Sequence, residues 1–435
     1  MIRSAVPTLG LIVALGGVSA ALGDDLSLAE WPLLSPAVPA VTGVFPRLAE
    51  NWSDLPLQLH VQETVGYNSN IANSPTGPGA SADLYGRPIG ALESISTYGV
   101  EFKNEVSGQQ FFADAYWGMN RYLNNGFFNT AHHNEDIGDN FTYGSKCAGT
   151  LKASQVTAPS LPGQQIGFNV INTTSTVSLS ENAKCIVTGE YAAIFNSGTS
   201  TSTNSAETDQ ANNFQSVFVA AGISYTVSDT NSLELLATVT GTDYTDRQLV
   251  SGEQGLLNKL TTDQVMATYI KNFSPTLALN AQIGIIGVSD EYFSFGIPHT
   301  ILPQYSFSVQ WTATPKLAFT AVVSRFAAPP TSIISNLQAT DSATASVTYH
   351  YTPKVLLSAN LEASYSTGAA GAVSSNLLLA PFTQSQRTYG AGAKLTYTLT
   401  PFLAADLSYQ YTRSIQSSLI TTDSLILLAL NFNPY

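Results

Sequence analysis

The sequence predicts an all-β protein, a transmembrane antiparallel up-and-down β-barrel of about 16 strands. Three observations carry this reading. Apolar and polar residues alternate with period two over many short segments. Ser/Thr-Pro turns recur at one place in that rhythm. The chain ends on an apolar strand, with Ile426, Leu428, Leu430 and Phe432 on one face and Leu425, Leu427, Ala429 and Asn431 on the other. A barrel must close its last strand onto its first, because lipid satisfies no unpaired edge.

Composition agrees. Only 11% of the 435 residues are charged and the formal net charge is -13. Soluble domains carry roughly 25% charged residues. Mean hydropathy is only +0.08, too low for a bundle of membrane helices. Abundant Gly, Ser, Thr, Tyr and Phe suit a wall with one face in lipid and one in water. The acidic balance and the lack of a basic patch or phosphate loop exclude nucleic acid as a partner.

Residues 1–23 read as a signal peptide, with Arg3 before a short apolar core from Leu9 to Leu15 and small residues for cleavage. Residues 24–56, punctuated by five prolines, read as a periplasmic N-terminal arm. Residues 57–435 read as the barrel, in the outer membrane of a Gram-negative bacterium.

The first strand alternates Leu57, Leu59, Val61 and Val65 with Gln58, His60, Gln62 and Thr64. Glu63 breaks the apolar face, which implies a bulge or a shifted register there. Further strands are expected near 92–105, 110–122, 139–153, 184–196, 212–227, 232–247, 260–272, 276–289, 303–313, 317–326, 341–352, 355–366, 386–399, 403–413 and 422–432. Pro275, Pro315, Pro353 and Pro401 each follow Ser or Thr between two such segments. Proline presets φ for a tight turn and leaves no N–H unpaired. The longer connections, such as 197–211, 248–259, 327–340 and 367–384, are polar or rich in Gly and Ser. Short turns on one side and long loops on the other are the outer-membrane layout.

Residues 154–183 break the rhythm and read as a periplasmic hairpin extension. Cys147 and Cys185, the only cysteines, then fall on neighbouring strands and are disulfide candidates in an oxidising compartment.

Alternation assigns the lumen. Its charged candidates are Glu101, Lys103, Asp114, Lys146, Lys152, Glu190, Glu234, Glu362, Lys394 and Asp406. Neither sign dominates, and a pore for polyanions needs a strong basic lining. The five histidines form no catalytic motif. The run His132-His133-Asn134-Glu135-Asp136 reads as a solvated surface loop rather than a metal site. No enzyme, cofactor or metal centre is expected. Partners are outer-membrane lipid, with polysaccharide or small solutes as cargo and periplasmic secretion proteins as further candidates. A plugged, structural barrel that anchors a secretion or envelope complex is the alternative.

The stretch Val65-Gly66-Tyr67-Asn68-Ser69-Asn70-Ile71 resembles the first strand of the putative beta-barrel porin type 2 family. That strand typically ends Tyr-Asp-Asp-Asn before an aliphatic residue; Asn68 and Ser69 stand here where the family has two acidic residues. The resemblance implies an outer-membrane barrel linked to exopolysaccharide production or export. It carries over no functional residue.

Overall fold

The computed structural model describes residues 57–71, 89–107, 109–126, 129–144, 146–160, 172–204, 213–244, 259–290, 300–328, 335–370, 385–416 and 419–432. The signal peptide and arm expected at 1–56 lie outside them. The first nine strands are β1 (Leu57–Asn68), β2 (Ala91–Val106), β3 (Gln109–Tyr122), β4 (Thr130–Tyr143), β5 (Cys147–Ser160), β6 (Asn172–Thr188), β7 (Tyr191–Asn204), β8 (Phe214–Ser228) and β9 (Asn231–Asp243). The next nine are β10 (Lys259–Ser274), β11 (Leu277–Asp290), β12 (Thr300–Thr314), β13 (Leu317–Ala328), β14 (Ser335–Thr352), β15 (Val355–Ala370), β16 (Ser385–Thr400), β17 (Leu403–Gln416) and β18 (Leu419–Phe432). Each pairs antiparallel with its sequence neighbours, and β18 pairs with β1 from Val61↔Phe432 to Asn68↔Leu425. The sheet is therefore a closed up-and-down barrel, without an edge.

The count is 18 strands rather than about 16. The two strands expected at 139–153 and 184–196 each fold back in their middle. Gly144 (φ 60°) and Gly189 (φ 44°) take the left-handed conformation that those turns need. Four strands, β4 to β7, stand where two were expected. Residues 154–183 are consequently no hairpin extension. Residues 154–160 and 172–183 lie in β5 and β6, which pair on their other sides with β4 and β7. The hairpin rises toward the long-loop end instead of leaving the barrel. Strands also run further into expected loops, as at 197–204, 335–340 and 367–370.

The Ser/Thr-Pro turns sit at β10–β11, β12–β13, β14–β15 and β16–β17. The hydroxyl before proline has a specific task. Ser274 Oγ accepts the Thr276 N–H at 3.2 Å, Thr314 Oγ1 that of Lys316 at 3.2 Å, and Thr352 Oγ1 that of Lys354 at 3.3 Å. Adjacent turns are then stitched by backbone bonds, such as Thr312 N–H to Thr276 O and His350 N–H to Lys316 O, both 2.8 Å.

The large hydrophobic side chains exposed on the strands stand mainly on one face of each strand, the outer wall. Tyr389 and Tyr397 bracket the apolar stretch of β16. They are roughly 27 Å apart along the strand at ~3.4 Å per residue, or about 20 Å along the barrel axis at a tilt near 40°. That matches a bilayer's apolar band. A closed barrel with an apolar outer band and a polar interior is an outer-membrane protein. Short turns and both ends of the described barrel share the periplasmic side, and the long loops face outward.

Glu63 needs no bulge. β1 pairs without register shift on both sides, so Glu63 points outward among apolar neighbours.

Candidate functional site: the lumen wall

The inner face divides into a charged and a neutral sector. The charged sector centres on a row of three carboxylates. Glu101, Asp114 and Asp136 are consecutive register partners on β2, β3 and β4. Like charges directly opposite one another are unfavourable, and two lysines answer them. Lys103 Nζ lies 3.1 Å from Glu101 Oε2, and Lys152 Nζ lies 3.0 Å from Asp136 Oδ2. Tyr116 donates its hydroxyl to Glu101, and Ser154 donates to Asp136. His60 Nε2 lies 3.2 Å from Glu101 Oε1, without hydrogen-bond alignment. Asp114 Oδ1, in the middle of the row, is buried without a hydrogen-bond partner among the described residues.

Gly99 explains how the tyrosine reaches its place. It faces Tyr116 across the β2–β3 ladder. A Cβ at Gly99 would stand 2.4 Å from the Tyr116 ring. The ring lies over the glycine, which lets its hydroxyl meet Glu101.

Two further pairs line the same surface. Lys184 Nζ reaches Glu234 Oε1 at 2.6 Å, from β6 to β9 across the inner faces of β7 and β8. Only the concave side permits that reach, over Ala192 and Gly222 in the intervening strands. Lys394 Nζ lies 2.8 Å from Asp406 Oδ2, which also accepts from Asn431 Nδ2 at 2.7 Å.

The neutral sector spans β10 to β14, with Asp290 at the loop end of β11 the one carboxylate residue on its inward register among the described residues. Its inner positions read Thr262, Gln264, Thr268, Gln282, Gln304, Ser306, Ser308, Gln310, Ser324, Ser342 and Ser346, with Met266 and a few aliphatic residues between. They bond to one another, as Gln264 Nε2 to Gln304 Oε1 at 2.6 Å and Ser324 to Ser342 at 2.6 Å. Near the loop end, Tyr244, Leu260, Ile286 and Val288 form a buried apolar cluster with Phe214 and Leu302 against it.

The expected lumen residues fall as follows. Glu101, Lys103, Asp114, Lys152, Glu234, Glu362, Lys394 and Asp406 occupy inward register positions. Lys146 and Glu190 do not. Both lie in the short turns β4–β5 and β6–β7, because the strands thought to carry them end there. Asp136 and Lys184 were not singled out by sequence, and neither were the inward Glu93 and Asp423. Asp136 was hidden because His132–Asp136 reads as a loop; it is the middle of β4. His132 and His133 then point to opposite faces, and no cluster of three or more His, Cys, Asp or Glu suited to a metal exists among the described residues.

Cys147 and Cys185 are register partners on β5 and β6 and are bonded, with Cα atoms 4.1 Å apart. The bond sits on the outward register beside the short turns, at the foot of the hairpin.

No family model matches the chain, and no curated protein matches it. Several solved barrels align with it. The FrpB iron transporter from Neisseria meningitidis (F3-3 variant) does so over 82% of this chain, at 10% identity and a TM-score of 0.48. The chain spans only 62% of FrpB's length. OccK11 (OpdR) of Pseudomonas aeruginosa aligns over 87% of this chain and 96% of its own, at 8% identity and a TM-score of 0.45. OpdQ of the same organism aligns over 87% and 98%, at 10% identity and a TM-score of 0.45. At these identities the likeness concerns architecture alone.

Proposed function

We propose that the barrel is a non-enzymatic conduit for neutral, hydroxyl-rich solutes, with saccharides as the cargo class and exopolysaccharide production as its setting. The single observation behind this is the neutral sector. Hydroxyl and amide side chains from β10 to β14 offer both donors and acceptors to a sugar and place no full charge in its path. Barrels of 16–18 strands are wide enough for an aqueous channel. The charged sector works against a polyanion, since its carboxylates outnumber its lysines and no basic track runs along it. Conductance of the purified barrel in planar bilayers, with swelling of liposomes in neutral and in uronic-acid oligosaccharides, tests the reading. Faster entry of the neutral sugars is expected; equal exclusion of both overturns it.

The second reading is the plugged, structural barrel that anchors an envelope complex. One observation favours it. Leu260, Ile286 and Val288 point inward yet are 2%, 4% and 4% exposed, packed with Tyr244, Phe214 and Leu302, so an apolar cluster rather than a hydrated wall lines the loop end there. Zero conductance in the bilayer supports this alternative.

A further inference from the structure

The barrel's outer wall carries a feature that solute passage does not use. The arginines among the described residues are Arg121, Arg325, Arg387 and Arg413. All four stand on outward positions in the loop-end part of their strands. The lysines are distributed differently: among the described residues Lys103, Lys152, Lys184 and Lys394 face the lumen, Lys146, Lys316 and Lys354 sit at the short-turn end, Lys271 lies outward near that end, and Lys259 alone shares the arginines' outward, loop-end position, away on β10.

Three of the arginines gather on β13 to β17. Arg325 is held by Asp341, 3.7 Å away. The Arg387 guanidinium carbon lies over the Tyr365 ring, 5.5 Å from its centre. A cation–π contact with the ring face uses none of the guanidinium's N–H donors. Arg413 is exposed and has no acidic partner among the described residues. Tyr389 pairs with Arg413 and Arg387 with Ile415, so the two cations are diagonal neighbours, their Cβ atoms roughly 7–8 Å apart. Two adjacent, unneutralised guanidinium groups on a lipid-facing wall call for an anion.

Directly below lies a shallow apolar groove of about 430 Å³. Alanines make its floor, with Ala345, Ala359, Ala391 and Ala393 between Phe319 on β13 and Tyr409 on β17. Arg387 stands four residues above Ala391 on the same strand. The surface is thus cationic at the level of headgroups and grooved at the level of acyl chains.

We propose that the outer wall of β13–β17 binds a phosphorylated glycolipid of the outer leaflet. A phosphate bridges Arg387 and Arg413, and an acyl chain lies along the alanine-floored groove. Guanidinium suits phosphate because its forked donors match two oxygens.

The test uses the full-length barrel in detergent and three probes: bisphosphorylated lipid A, the same lipid enzymatically dephosphorylated, and inorganic phosphate. Retention is read by native mass spectrometry. The phosphorylated lipid is expected to bind preferentially. R387Q/R413Q weakens that binding about tenfold, the loss expected of two exposed charge-assisted contacts. R387K/R413K retains part of it, and K316Q/K354Q, at the opposite end, retains all of it. Heat-modifiable gel migration verifies that each variant is folded. Equal binding of the two lipids overturns the phosphate site. Binding of inorganic phosphate alone, or of no probe, overturns the glycolipid.

Discussion

Tyr98 donates its phenol hydroxyl to Glu63 Oε1 at 2.9 Å on the outer wall of the barrel, and Ser96 Oγ donates to Oε2 at 2.7 Å. All three residues face outward, and the register sets Glu63 beside Leu430 and Ser96, with Val61 and Val65 along its own strand. A carboxylate against lipid is costly unless its oxygens are bonded, and here the neighbouring strand supplies both donors. Tyr98→Phe is expected to lower stability by about 1–2 kcal/mol, the cost of stripping one charge-assisted bond. Glu63→Leu in the same background should restore it. Urea unfolding in lipid vesicles measures both. A Tyr98→Phe barrel as stable as the parent would show that Glu63 is solvated another way.

The charged sector makes its own claim on conduction. With Glu101, Asp114 and Asp136 in one row, an open lumen should favour cations over anions at low salt. E101Q/D114N/D136N is expected to shift the reversal potential in a potassium chloride gradient toward anion permeation. Gly99→Val acts indirectly on the same row, by pushing the Tyr116 ring away from Glu101. It should shift the potential in the same direction as E101Q alone, but less. An unchanged potential in the triple variant would place the row off the ion path.

Much of this barrel is legible in the sequence, and the illegible part has one physical cause. β8 to β18 keep most of their large apolar residues outside, with polar residues inside except at the loop end of β10 to β12 and on β18, so period two is visible, and the short turns from β10 to β17 carry Ser/Thr-Pro. β4 and β6 do not. His133, Glu135 and Asp139 share the outward register with Ile137 on β4, and Glu181 shares it with Leu179 on β6. With polar residues on both faces, alternation vanishes and a strand reads as a loop. The lumen row suffered for the same reason: Glu101 and Asp114 lie on well-patterned strands, whereas Asp136 lies on β4. Ion pairs such as Lys184 with Glu234 were invisible for another reason. They join strands that are not neighbours, and only the curvature of the closed wall brings them together.

The Cys147–Cys185 bond closes a segment with a sequence separation of 38. In the chain-entropy model a loop of that length is worth roughly 3–4 kcal/mol. β5 and β6 are also tied by a full ladder from Cys147↔Cys185 to Ser160↔Asn172, so the bond acts on the unfolded chain rather than on the register. C147A/C185A is therefore expected to assemble into a heat-modifiable barrel with native migration, while its unfolding midpoint falls. Thiol labelling of the unfolded, unreduced parent should detect no free thiol. Two free thiols per chain would remove the bond and the midpoint difference together.

The last prediction concerns the seam. Asp406 is 5% exposed on the inner face of β17. It draws Lys394 from β16 and Asn431 from β18, so one carboxylate joins the three strands that end the chain. β18 in turn closes on β1 over Val61–Asn68 alone, and Leu57–His60 have no β18 partner in that ladder. The closing strand thus pairs with β17 along all of Leu419–Phe432 but with β1 only along Leu425–Phe432. Lys394→Met strips Asp406 of its cation and leaves a buried charge with one amide donor. The cost should be about 1–3 kcal/mol, below that of a fully buried broken pair because Lys394 is partly exposed. Asp406→Asn alone should cost less, since it keeps a polar partner for Asn431 and leaves Lys394 in reach of water. K394M/D406L should recover most of the loss. Hydrogen exchange separates this from a general loss of packing: in Lys394→Met, protection should fall first at the amides of β18 near Asn431, while those of β10 to β14 keep theirs. A uniform loss around the barrel would mean that Asp406 holds nothing particular at the seam.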